Sequence, residues 1–527
     1  MLFFISENLN INMIKKIPCL FISLFIILLI PSCATEELAT DDPNIIYILA
    51  DDLGYGDVSA FNPASKIITP NIDMLASAGM VFTDAHSGSS VGAPSRYGIL
   101  TGRYSWRTGL KEGAIGGTDR PLVDSTRLSL ASVLKQKDYN TAYIGKWQLG
   151  LGWKMNENES SIDFSSKLTA GPGSYGFDYS FIIPASLDTP PYVYIENHEV
   201  ISLPDRLTSG SSGFGSWEEG LTGEGFQHKD VLPEITDKAV EWISEKEDQE
   251  DPFFLFLSLS APHTPILPAE EFVGKSNTNP YGDFVLMLDD MVGRVTDALD
   301  RINAAENTMI IFASDNGCSP DAGLEQLAEL GHSPGYVYRG HKGDIYEAGH
   351  RIPLLIKWPG MIHPGRKTIE TVSLNDLFST MADITAYQLP ADAGEDSYSL
   401  MPLINSQANM YERKSVIHHS ADGFFAIRKG KWKLIVWPGS EGTSSTESSQ
   451  SEEQPIHGFY LYDLDNDPRE QTNLATDHPE IVDELKDMLM QDIEEGRSTP
   501  GPRQENTPAE NWPENKLGYG VKDGNKQ

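Results

Sequence analysis

The chain has 527 residues, and its 39% hydrophobic content is ordinary for a globular protein, which excludes disorder along the whole length. At about 100–200 residues per domain, this length suggests two to three units, or one large α/β domain with an appendage. Asp and Glu number 76 against 40 Lys and Arg, and the resulting net charge of -36 argues against nucleic acid as a partner. Any polyanionic ligand must therefore be attracted by a local cluster of Lys and Arg.

The N-terminal segment has the pattern of a secretory signal. Lys15 and Lys16 precede an apolar run over residues 17–30, which ends in Ile30-Pro31-Ser32-Cys33. This ending resembles a bacterial lipoprotein box, in which Cys33 is lipidated and becomes the first residue of the mature chain. Residues 1–32 are then the signal peptide, and residues 33–43 form a tether. A permanent transmembrane anchor is the alternative, although the run is short for a span of about 20 residues.

A lipidated Cys33 predicts a secreted protein anchored to the bacterial outer membrane, at the cell surface or in the periplasm. Its contact with the membrane is then through the lipid alone. Glu36 and Glu37, soon after Cys33, resemble a surface-export tag. Cys19 is lost with the signal and Cys33 carries the lipid, so Cys318 is left alone and no disulfide framework is expected. We interpret Cys318 as a packing thiol rather than a nucleophile.

Four apolar runs predict strands buried on both faces of a parallel sheet, because each run is unbroken rather than alternating. They cover residues 44–50, 141–144, 253–259 and 309–313. Open α/β sheets build their sites at the carboxyl ends of strands. We therefore expect the polar residues that follow these runs to meet, namely Asp51 and Asp52, Lys146, His263 and Asp315.

Helical patterns lie between these runs, over residues 71–78, 129–136, 235–246 and 284–304. The Gly- and Ser-rich stretch 207–226 is expected to be one long loop. The composition changes near residue 386. We therefore predict an α/β domain over residues 44–385, a C-terminal α+β subdomain over 386–498 and a polar tail over 499–527.

Within the C-terminal subdomain, residues 424–437 and 459–463 are predicted to be paired strands, and residues 478–495 an amphipathic helix. The insert at residues 439–454 is rich in Ser, Thr and Glu, so it is expected to be exposed.

The stretch over residues 86–103 reads HSGSSVGAPSRYGILTGR. Pro94, Ser95 and Arg96, followed by the run 100–103, resemble the signature loop of the sulfatases. In that family a Cys or Ser two residues before the proline is oxidised to formylglycine, the catalytic nucleophile. Here that position is Gly92. Formylglycine needs a β-carbon, because its hydrated aldehyde attacks sulfur with one hydroxyl and expels sulfate through the other. Glycine has no β-carbon, so neither step is open to it.

The resemblance runs from about residue 43 to residue 495 and includes LYDLDNDPREQTNL at 461–474, which is similar to the hairpin that closes sulfatases. It implies the fold of sulfatases and alkaline phosphatases, an α/β architecture in which helices sandwich a large, mostly parallel sheet. A smaller C-terminal antiparallel sheet with a helix completes that fold. The family, the secretion signal and the lipid anchor together suggest an enzyme of extracellular polysaccharides, so the expected partner is a sulfated polysaccharide or oligosaccharide.

The same resemblance implies a calcium site. Asp51 and Asp52 follow the first strand, while Asp315 and Asn316 follow a late one. Four oxygen-bearing side chains suit a hard cation such as Ca²⁺, and in sulfatases these positions hold it. Taken alone, an Asp-Asp pair after a strand is more often a turn or a helix cap.

Arg96, Lys146 and Lys342 match the family cations that stabilise the negative charge spread over the sulfonyl oxygens. His263, in Ala-Pro-His-Thr-Pro, matches the histidine that protonates the leaving alcohol, a role that suits a group titrating near neutral pH. Outside this resemblance, surface lysines and a structural histidine would be the ordinary interpretations.

Gln148 is a second departure from the family pattern. It lies in Gly-Lys-Trp-Gln, where sulfatases have Gly-Lys-Trp-His, and the family histidine helps to remove the proton that triggers sulfate release. An amide is not a base at physiological pH. The changes at Gly92 and Gln148 therefore concern the same reaction step, whereas the residues expected to bind metal and sulfate are retained.

Three hypotheses remain open from the sequence. The first is a working sulfatase with an unusual nucleophile, such as metal-bound water, Ser89 or Ser90. The second is a catalytically inactive surface lipoprotein that binds sulfated glycans. The third is a phosphatase or phosphodiesterase of the alkaline phosphatase superfamily, although the nucleophile and extra metal ligands of its two-zinc members are not found in the sequence.

Overall fold

The structure is a computed structural model that describes residues 42–436 and 458–507. The predictions for the signal peptide, for lipidation of Cys33, for the insert at 439–454 and for the last part of the tail lie outside these residues. In the described part of the chain, no helix combines the length and apolar character needed to cross a membrane.

The described part of the chain contains both strands and helices. The strands are β1 Asn44–Asp51, β2 Met80–Phe82, β3 Ala85–His86, β4 Asn140–Lys146, β5 Tyr179–Ile183, β6 Ile195–Glu196, β7 Glu199–Val200, β8 Pro204–Thr208, β9 Gly220–Gly223, β10 Phe253–Pro262, β11 Thr308–Ser314, β12 Leu354–Lys357, β13 Arg366–Thr368, β14 Val372–Ser373, β15 Val416–His419, β16 Phe425–Lys429, β17 Trp432–Val436 and β18 Phe459–Asp463. The helices are α1 Pro70–Ala78, α2 Gly92–Thr101, α3 Leu130–Leu134, α4 Val231–Ser244, α5 Pro280–Arg301, α6 Leu324–Glu329, α7 Glu347–His350, α8 Asp376–Ile384, α9 Met401–Ile404 and α10 Pro479–Glu494.

A large mixed sheet forms the centre of the fold, in the order β13-β2-β12-β11-β1-β10-β4-β5-β6-β7. Its middle strands β11, β1, β10, β4 and β5 run parallel to one another, so their carboxyl ends share one edge. The flanking strands β12 and β6 are antiparallel to that block. The predicted α/β fold with a mostly parallel sheet is confirmed.

Strand β1 shows why its apolar run is unbroken. Ile46 and Ile48 point into a core shared with α1, α4 and α5, whereas Ile45 and Leu49 point into a second core shared with α2, α3 and α8. All four side chains are fully buried. Burying one such side chain contributes about 1.5–3 kcal/mol, which is why both faces of the strand select for apolar residues.

The C-terminal sheet is antiparallel in the order β15-β16-β17-β18 and packs against α10. Leu485 and Leu489 of α10 share a core with Ile427 and Leu434 of the sheet, and Trp106 of the main domain packs into the same core. The smaller antiparallel sheet with a helix is therefore also confirmed. The predicted boundary near residue 386 stays a prediction.

Two local expectations need correction. The stretch 207–226 is not one loop, because β8 and β9 pair antiparallel across it. The predicted helix at 129–136 is shorter, since α3 ends at Leu134 and a 3-10 turn follows. Ser129 stands before that helix as its N-cap, and its hydroxyl accepts a hydrogen bond from the backbone N–H of Ser132 at 3.0 Å.

Candidate functional site

The residues predicted from the strand ends meet at one edge of the sheet. β11, β1, β10 and β4 are neighbours in that order, and all four run in the same direction. They deliver Asp315, Asp51, His263 and Lys146 to the edge where their carboxyl ends lie together. Asp51, Asp52 and His263 form a group whose potential ligand atoms all lie within 4.8 Å of one another. The juxtaposition expected from the sequence is confirmed.

Asp51 is buried between two cations. Both of its carboxylate oxygens accept hydrogen bonds from Lys146 Nζ, at 2.9 and 2.6 Å, and a guanidinium nitrogen of Arg96 lies 3.5 Å away. Burial alone would raise the pKa of Asp51, but Lys146 and the neighbouring cations hold the pKa well below its usual range. Asp51 is therefore ionised at physiological pH.

Asp52 occupies a turn directly after β1, with a φ of 67° in the left-handed region. Its carboxylate accepts hydrogen bonds from Lys342 Nζ at 2.8 Å and from the amide of Asn316 at 2.7 Å. The Nε2 atom of His263 lies 3.7 Å from the same carboxylate. The turn thus brings Lys342, His263 and the late strand end to one side chain.

Asp315 and Asn316 complete a set of oxygen donors. Asp315 accepts hydrogen bonds from Arg96 at 2.8 Å and from the backbone N–H of Asp52 at 3.1 Å. Burial, followed by the charge of Asp51, raises the pKa of Asp315 to about 6. The Oδ1 atom of Asn316 is buried and has no hydrogen-bond partner among the described residues. A hard cation would bind this oxygen and reduce the repulsion between the neighbouring carboxylates. The donor set therefore fits an oxygen-ligated metal such as Ca²⁺.

Gly92 is the first residue of α2 and lies against this donor set. A β-carbon built on its backbone would stand 2.8 Å from Asp315 Oδ2, 3.1 Å from Gln148 Oε1 and 3.6 Å from Arg96 Nε. The sequence-predicted positions Gly92 and Gln148 are thus in direct proximity. Gln148 donates its amide N–H to Ser186 Oγ at 3.2 Å, and its buried Oε1 has no hydrogen-bond partner among the described residues.

Ser89 and Ser90 do not face the strand ends. Their hydroxyls donate to the carbonyl oxygen of His419, at 3.0 and 3.4 Å, and the backbone N–H of Ser90 donates to the same oxygen at 2.9 Å. These bonds tie the signature loop to β15 of the C-terminal sheet. Neither serine is therefore placed to act as a substitute nucleophile.

Lys342 and His263 mark the more open side of the site. The Lys342 side chain is 22% exposed, whereas those of Lys146 and Arg96 are each 1% exposed. Burial alone would lower the pKa of Lys342, but Asp52 and Asp51 raise it above its ordinary value. His263 holds its ring in place through a 2.6 Å contact between Nδ1 and the carbonyl oxygen of Thr264. This leaves Nε2 facing the Asp52 side of the site.

Sequence reasoning missed Ser258, on β10. Its hydroxyl accepts a short hydrogen bond from Arg96 and donates to the carbonyl oxygen of Lys146 at 2.7 Å. Gly145 allows this contact between strands, because its φ is 115° and a β-carbon there would lie 1.8 Å from the carbonyl oxygen of Ser258. A buried serine inside an apolar strand, preceding His263 by five residues, was the available signal.

Cys318 is buried and unbridged, as expected for a packing thiol. Burial raises its pKa well above the ordinary value, which keeps the sulfur protonated and unreactive.

A second cluster of buried polar side chains lies behind the signature loop. His86, Glu347, His350 and His418 are fully buried, with potential ligand atoms within 4.8 Å of one another. The ammonium group of Lys433 stands among them, 3.0 Å from His350 Nε2 and 3.2 Å from Glu347. It is also 2.8 Å from Glu470, so the cluster already contains a cation that its carboxylates can pair with. We therefore interpret it as the polar contact between α7 and the C-terminal sheet.

The chain is similar in sequence to sulfatases over nearly all of its described length. The family described as Sulfatase matches residues 43–387, and the family described as N-sulphoglucosamine sulphohydrolase, C-terminal, matches residues 340–498. An N-acetylgalactosamine-6-O-sulfatase of Bacteroides thetaiotaomicron is 35% identical over 484 residues, covering 85% of this chain and 92% of the relative. Human arylsulfatase A is 30% identical over 479 residues, covering 85% and 87% of the two chains.

Solved structures of sulfatases are also similar to this chain. One from Bacteroides thetaiotaomicron, described in connection with the metabolism of multiple glycosaminoglycans, superposes with a TM-score of 0.76 at 34% identity. It covers 85% of this chain and 99% of its own. A sulfatase from Pseudoalteromonas sp. shares the fold with a TM-score of 0.68 at 24% identity, covering 86% and 90%.

Proposed function

Because this chain belongs to the sulfatase family, as its match over residues 43–387 shows, we propose that it acts on the sulfate esters of extracellular sulfated polysaccharides, with the usual catalysis of the family impaired. The proposal that catalysis is impaired rests on the surroundings of Gly92. The position of the nucleophile has no β-carbon, yet it lies where Asp315, Gln148 and Arg96 converge. Charged and polar side chains thus converge on a position that has no side-chain atom of its own.

We assign the metal site to Asp51, Asp52, Asp315 and Asn316, and we propose Ca²⁺ as the ion. The partnerless Oδ1 of Asn316 and the converging carboxylates support this assignment. When bound, Ca²⁺ would polarise an oxygen of the sulfate ester. The backbone N–H of Asp52 bonds to Asp315, so the two strand ends are already held in register for such a ligand.

Arg96, Lys146 and Lys342 are the proposed sulfate-binding cations. Each of the three cations pairs with a carboxylate at the strand ends, so the negative charge of these carboxylates is balanced within the site. Fixed cations in a water-poor pocket stabilise the negative charge that develops on sulfonyl oxygens. His263 is the proposed donor of a proton to the leaving alcohol, since its Nε2 lies on the same side as the more exposed Lys342.

The covalent route of the family stops at Gly92. No atom at this position can attack sulfur, and Gln148 cannot accept the proton whose removal would later expel sulfate. Ser89 and Ser90 are engaged by the carbonyl oxygen of His419. A water molecule at the metal site would be the remaining nucleophile.

The second candidate function is binding without turnover, as a catalytically inactive surface lipoprotein for sulfated glycans. It is favoured by the retention of all three cations and all four oxygen ligands beside the changes at Gly92 and Gln148. A protein that lost turnover but kept glycan recognition would change only the residues of the reaction step. The third hypothesis, phosphate ester hydrolysis, gains no support from the geometry around Gly92.

A direct experiment separates these functions. Purified protein is offered sulfated glycosaminoglycans and algal glycans, since relatives are named for sulfated amino sugars, and released sulfate, released phosphate and glycan affinity are measured in parallel. We expect glycan binding with little or no sulfate release. Lys342→Met should weaken binding by at least about tenfold, since a lost charge-assisted hydrogen bond is worth about 1.5–3 kcal/mol. Lys238→Met on α4 makes the same charge change away from the site and should not.

Rapid sulfate release by the unaltered protein would overturn the impairment, and phosphate release would favour the third hypothesis. Absence of both binding and turnover on every glycan would contradict the proposed function as a whole.

We also propose that the mature protein begins at a lipidated Cys33 and is anchored to the outer membrane, at the cell surface or in the periplasm. Ser32 and the apolar run before it support this assignment. Metabolic labelling with a fatty acid should mark the native protein, and Cys33→Ala should lose the label. Labelling that survives this substitution would contradict the assignment.

A further inference from the structure

A buried carboxylate, Asp57, lies behind the turn that carries Asp52. Its side chain is fully buried, and the ion-pair partner found for it among the described residues is His332 rather than a cation of the site. Together with Tyr281 at the start of α5 and His332 in the loop after α6, it forms a hydrogen-bonded group beneath residues 52–57. We propose that Asp57 is a positioning residue, which holds Asp52 in its metal-binding conformation through this group. The inference rests on the proposed metal site.

The hydrogen-bond partners of the Asp57 carboxylate among the described residues all donate to it. Oδ2 accepts from the backbone N–H of Gly54 at 2.7 Å and from the hydroxyl of Tyr281 at 2.5 Å. Oδ1 accepts from His332 Nε2 at 2.8 Å. The other ring nitrogen, Nδ1, accepts from the backbone N–H of Lys66 at 3.3 Å, so a neutral His332 carries its proton on Nε2. Three donors converge on two oxygens, which only a carboxylate can satisfy fully.

The Asp52 turn needs such support because its conformation is unfavourable. A φ of 67° is costly for a residue with a side chain, by about 1–3 kcal/mol unless the surroundings fix it. The hydroxyl of Tyr281 bridges the two parts of the turn, since it lies 2.5 Å from Asp57 Oδ2 and 3.3 Å from the carbonyl oxygen of Asp52. The same hydroxyl therefore connects the buried carboxylate to the backbone that orients the proposed ligand.

The far side of the turn is also fixed. The backbone N–H of Gly56 donates to the carbonyl oxygen of Pro334 at 2.6 Å, and a β-carbon on Gly56 would lie 2.1 Å from the carbonyl oxygen of Ser333. This close approach places the loop that carries His332 directly on residues 54–56. Asp57 thus joins β1, α5 and the loop after α6 at one point, immediately behind Asp52.

Partners that orient metal ligands without touching the metal typically change metal affinity about 10- to 100-fold when they are removed. A purely structural role for Asp57 predicts a different result, in which stability falls and metal affinity does not. Affinity measured on folded protein therefore distinguishes positioning from simple packing.

The experiment measures Ca²⁺ affinity of the full-length protein by calorimetry, and Tb³⁺ affinity by sensitised luminescence as an independent probe. Tyr281→Phe removes one hydroxyl and preserves the ring, so it is the mildest variant. Asp57→Asn keeps the shape of the side chain but replaces one carboxylate oxygen by an amide group, whose N–H then faces one of the three hydrogen-bond donors. Each is expected to weaken binding about 10- to 100-fold while circular dichroism at the assay temperature remains that of the folded protein.

Matched controls exist in the same fold. Tyr139→Phe removes a buried hydroxyl that donates to the carbonyl oxygen of Pro43 at 2.8 Å, at the opposite end of β4 from the site. Asp289→Asn changes a buried carboxylate on α5, about 12 Å along the helix from Tyr281, which accepts the backbone N–H groups of Asn71 and Ile72. Both controls should leave the metal affinity within about twofold of the unaltered protein, given the scatter expected for distant sites.

The outcomes separate the inference from the function on which it rests. If the unaltered protein binds neither ion, the proposed metal site is wrong. If it binds them and Tyr281→Phe and Asp57→Asn bind equally well, the metal site stands and the positioning role is wrong. Equal weakening in the controls would also overturn the inference, because the effect would then follow stability alone. Should Asp57→Asn fail to fold, Tyr281→Phe decides the question.

Discussion

Two substitutions should give this protein the chemistry that its family uses. Gly92→Cys supplies the residue that is oxidised to formylglycine, and Gln148→His supplies the base beside it. The double variant keeps the residues that supply the cations and the oxygen ligands of the site. We therefore expect the double variant, produced in a host that oxidises cysteine in this Pro-Ser-Arg context, to release sulfate, and the unaltered chain to release little or none.

The structure sets the expected size of each effect. A β-carbon on Gly92 lies 3.1 Å from Gln148 Oε1, so a histidine at position 148 reaches an oxygen carried by that carbon. Losing a positioned general base costs about 10²- to 10⁴-fold in rate, so Gly92→Cys alone should turn over more slowly than the double variant by that factor. The sulfated intermediate should then accumulate, because its collapse is the step that needs the base.

The new side chain also requires a small rearrangement. The same β-carbon would lie 2.8 Å from Asp315 Oδ2, closer than atoms pack, so this carboxylate must shift. The backbone of Gly92 is not left-handed, and a side chain there therefore adds no backbone strain. Overpacking of this kind costs about 1–3 kcal/mol.

Sulfate release from an aryl sulfate and from sulfated sugars is the assay, and mass spectrometry of the loop peptide verifies oxidation of the cysteine. Gly92→Ala with Gln148→His is the matched control, since it carries the β-carbon but nothing that can be oxidised to an aldehyde. If the unaltered chain turns over as fast as the double variant, the reasoning on Gly92 is refuted. A metal-bound water would then become the leading nucleophile.

Further predictions concern metal binding and stability. Millimolar Ca²⁺ should raise the midpoint of thermal unfolding, because a ligand that binds only the folded state stabilises it, and an unchanged midpoint would contradict the site at Asp51, Asp52, Asp315 and Asn316. Lys433→Met leaves Glu347 and Glu470 buried without their shared cation and should lower the free energy of unfolding in urea by about 3–5 kcal/mol. Lys431→Met removes a 40%-exposed partner of Asp463 and should cost less than about 1 kcal/mol, and equal losses would refute this account. Burial, followed by the charge of Asp396, raises the pKa of Asp492 to about 7. The contribution of Asp492 to stability is therefore fully present below the ordinary carboxyl pKa of about 4 and is lost as the pH rises through about 7, by about 1.4 kcal/mol per pH unit at most. Asp492→Asn should accordingly be more stable than the unaltered protein at pH 8, with an advantage that shrinks toward pH 4, and an advantage that does not change with pH would contradict this account.

The sequence by itself determined the layered fold and predicted which residues form the site. The run over residues 44–50 predicted a strand buried on both faces because hydrophobic burial acts on every side chain of such a strand. The frame around Pro94-Ser95-Arg96 predicted the family and a departure from it at Gly92, and the stretch Gly-Lys-Trp-Gln predicted a second departure at Gln148. These conclusions depend on residue types and spacing, which the sequence contains in full.

Only the tertiary structure decided which side chains contact each other. It brought Ser258 to Arg96, turned Ser89 and Ser90 toward His419, and placed Lys433 among four buried polar side chains. It also showed that β8 and β9 pair across the stretch 207–226, although the local composition of that stretch favours a loop. Such contacts connect residues up to hundreds of positions apart, and their geometry is fixed by the packing of the sheet rather than by any local pattern in the chain.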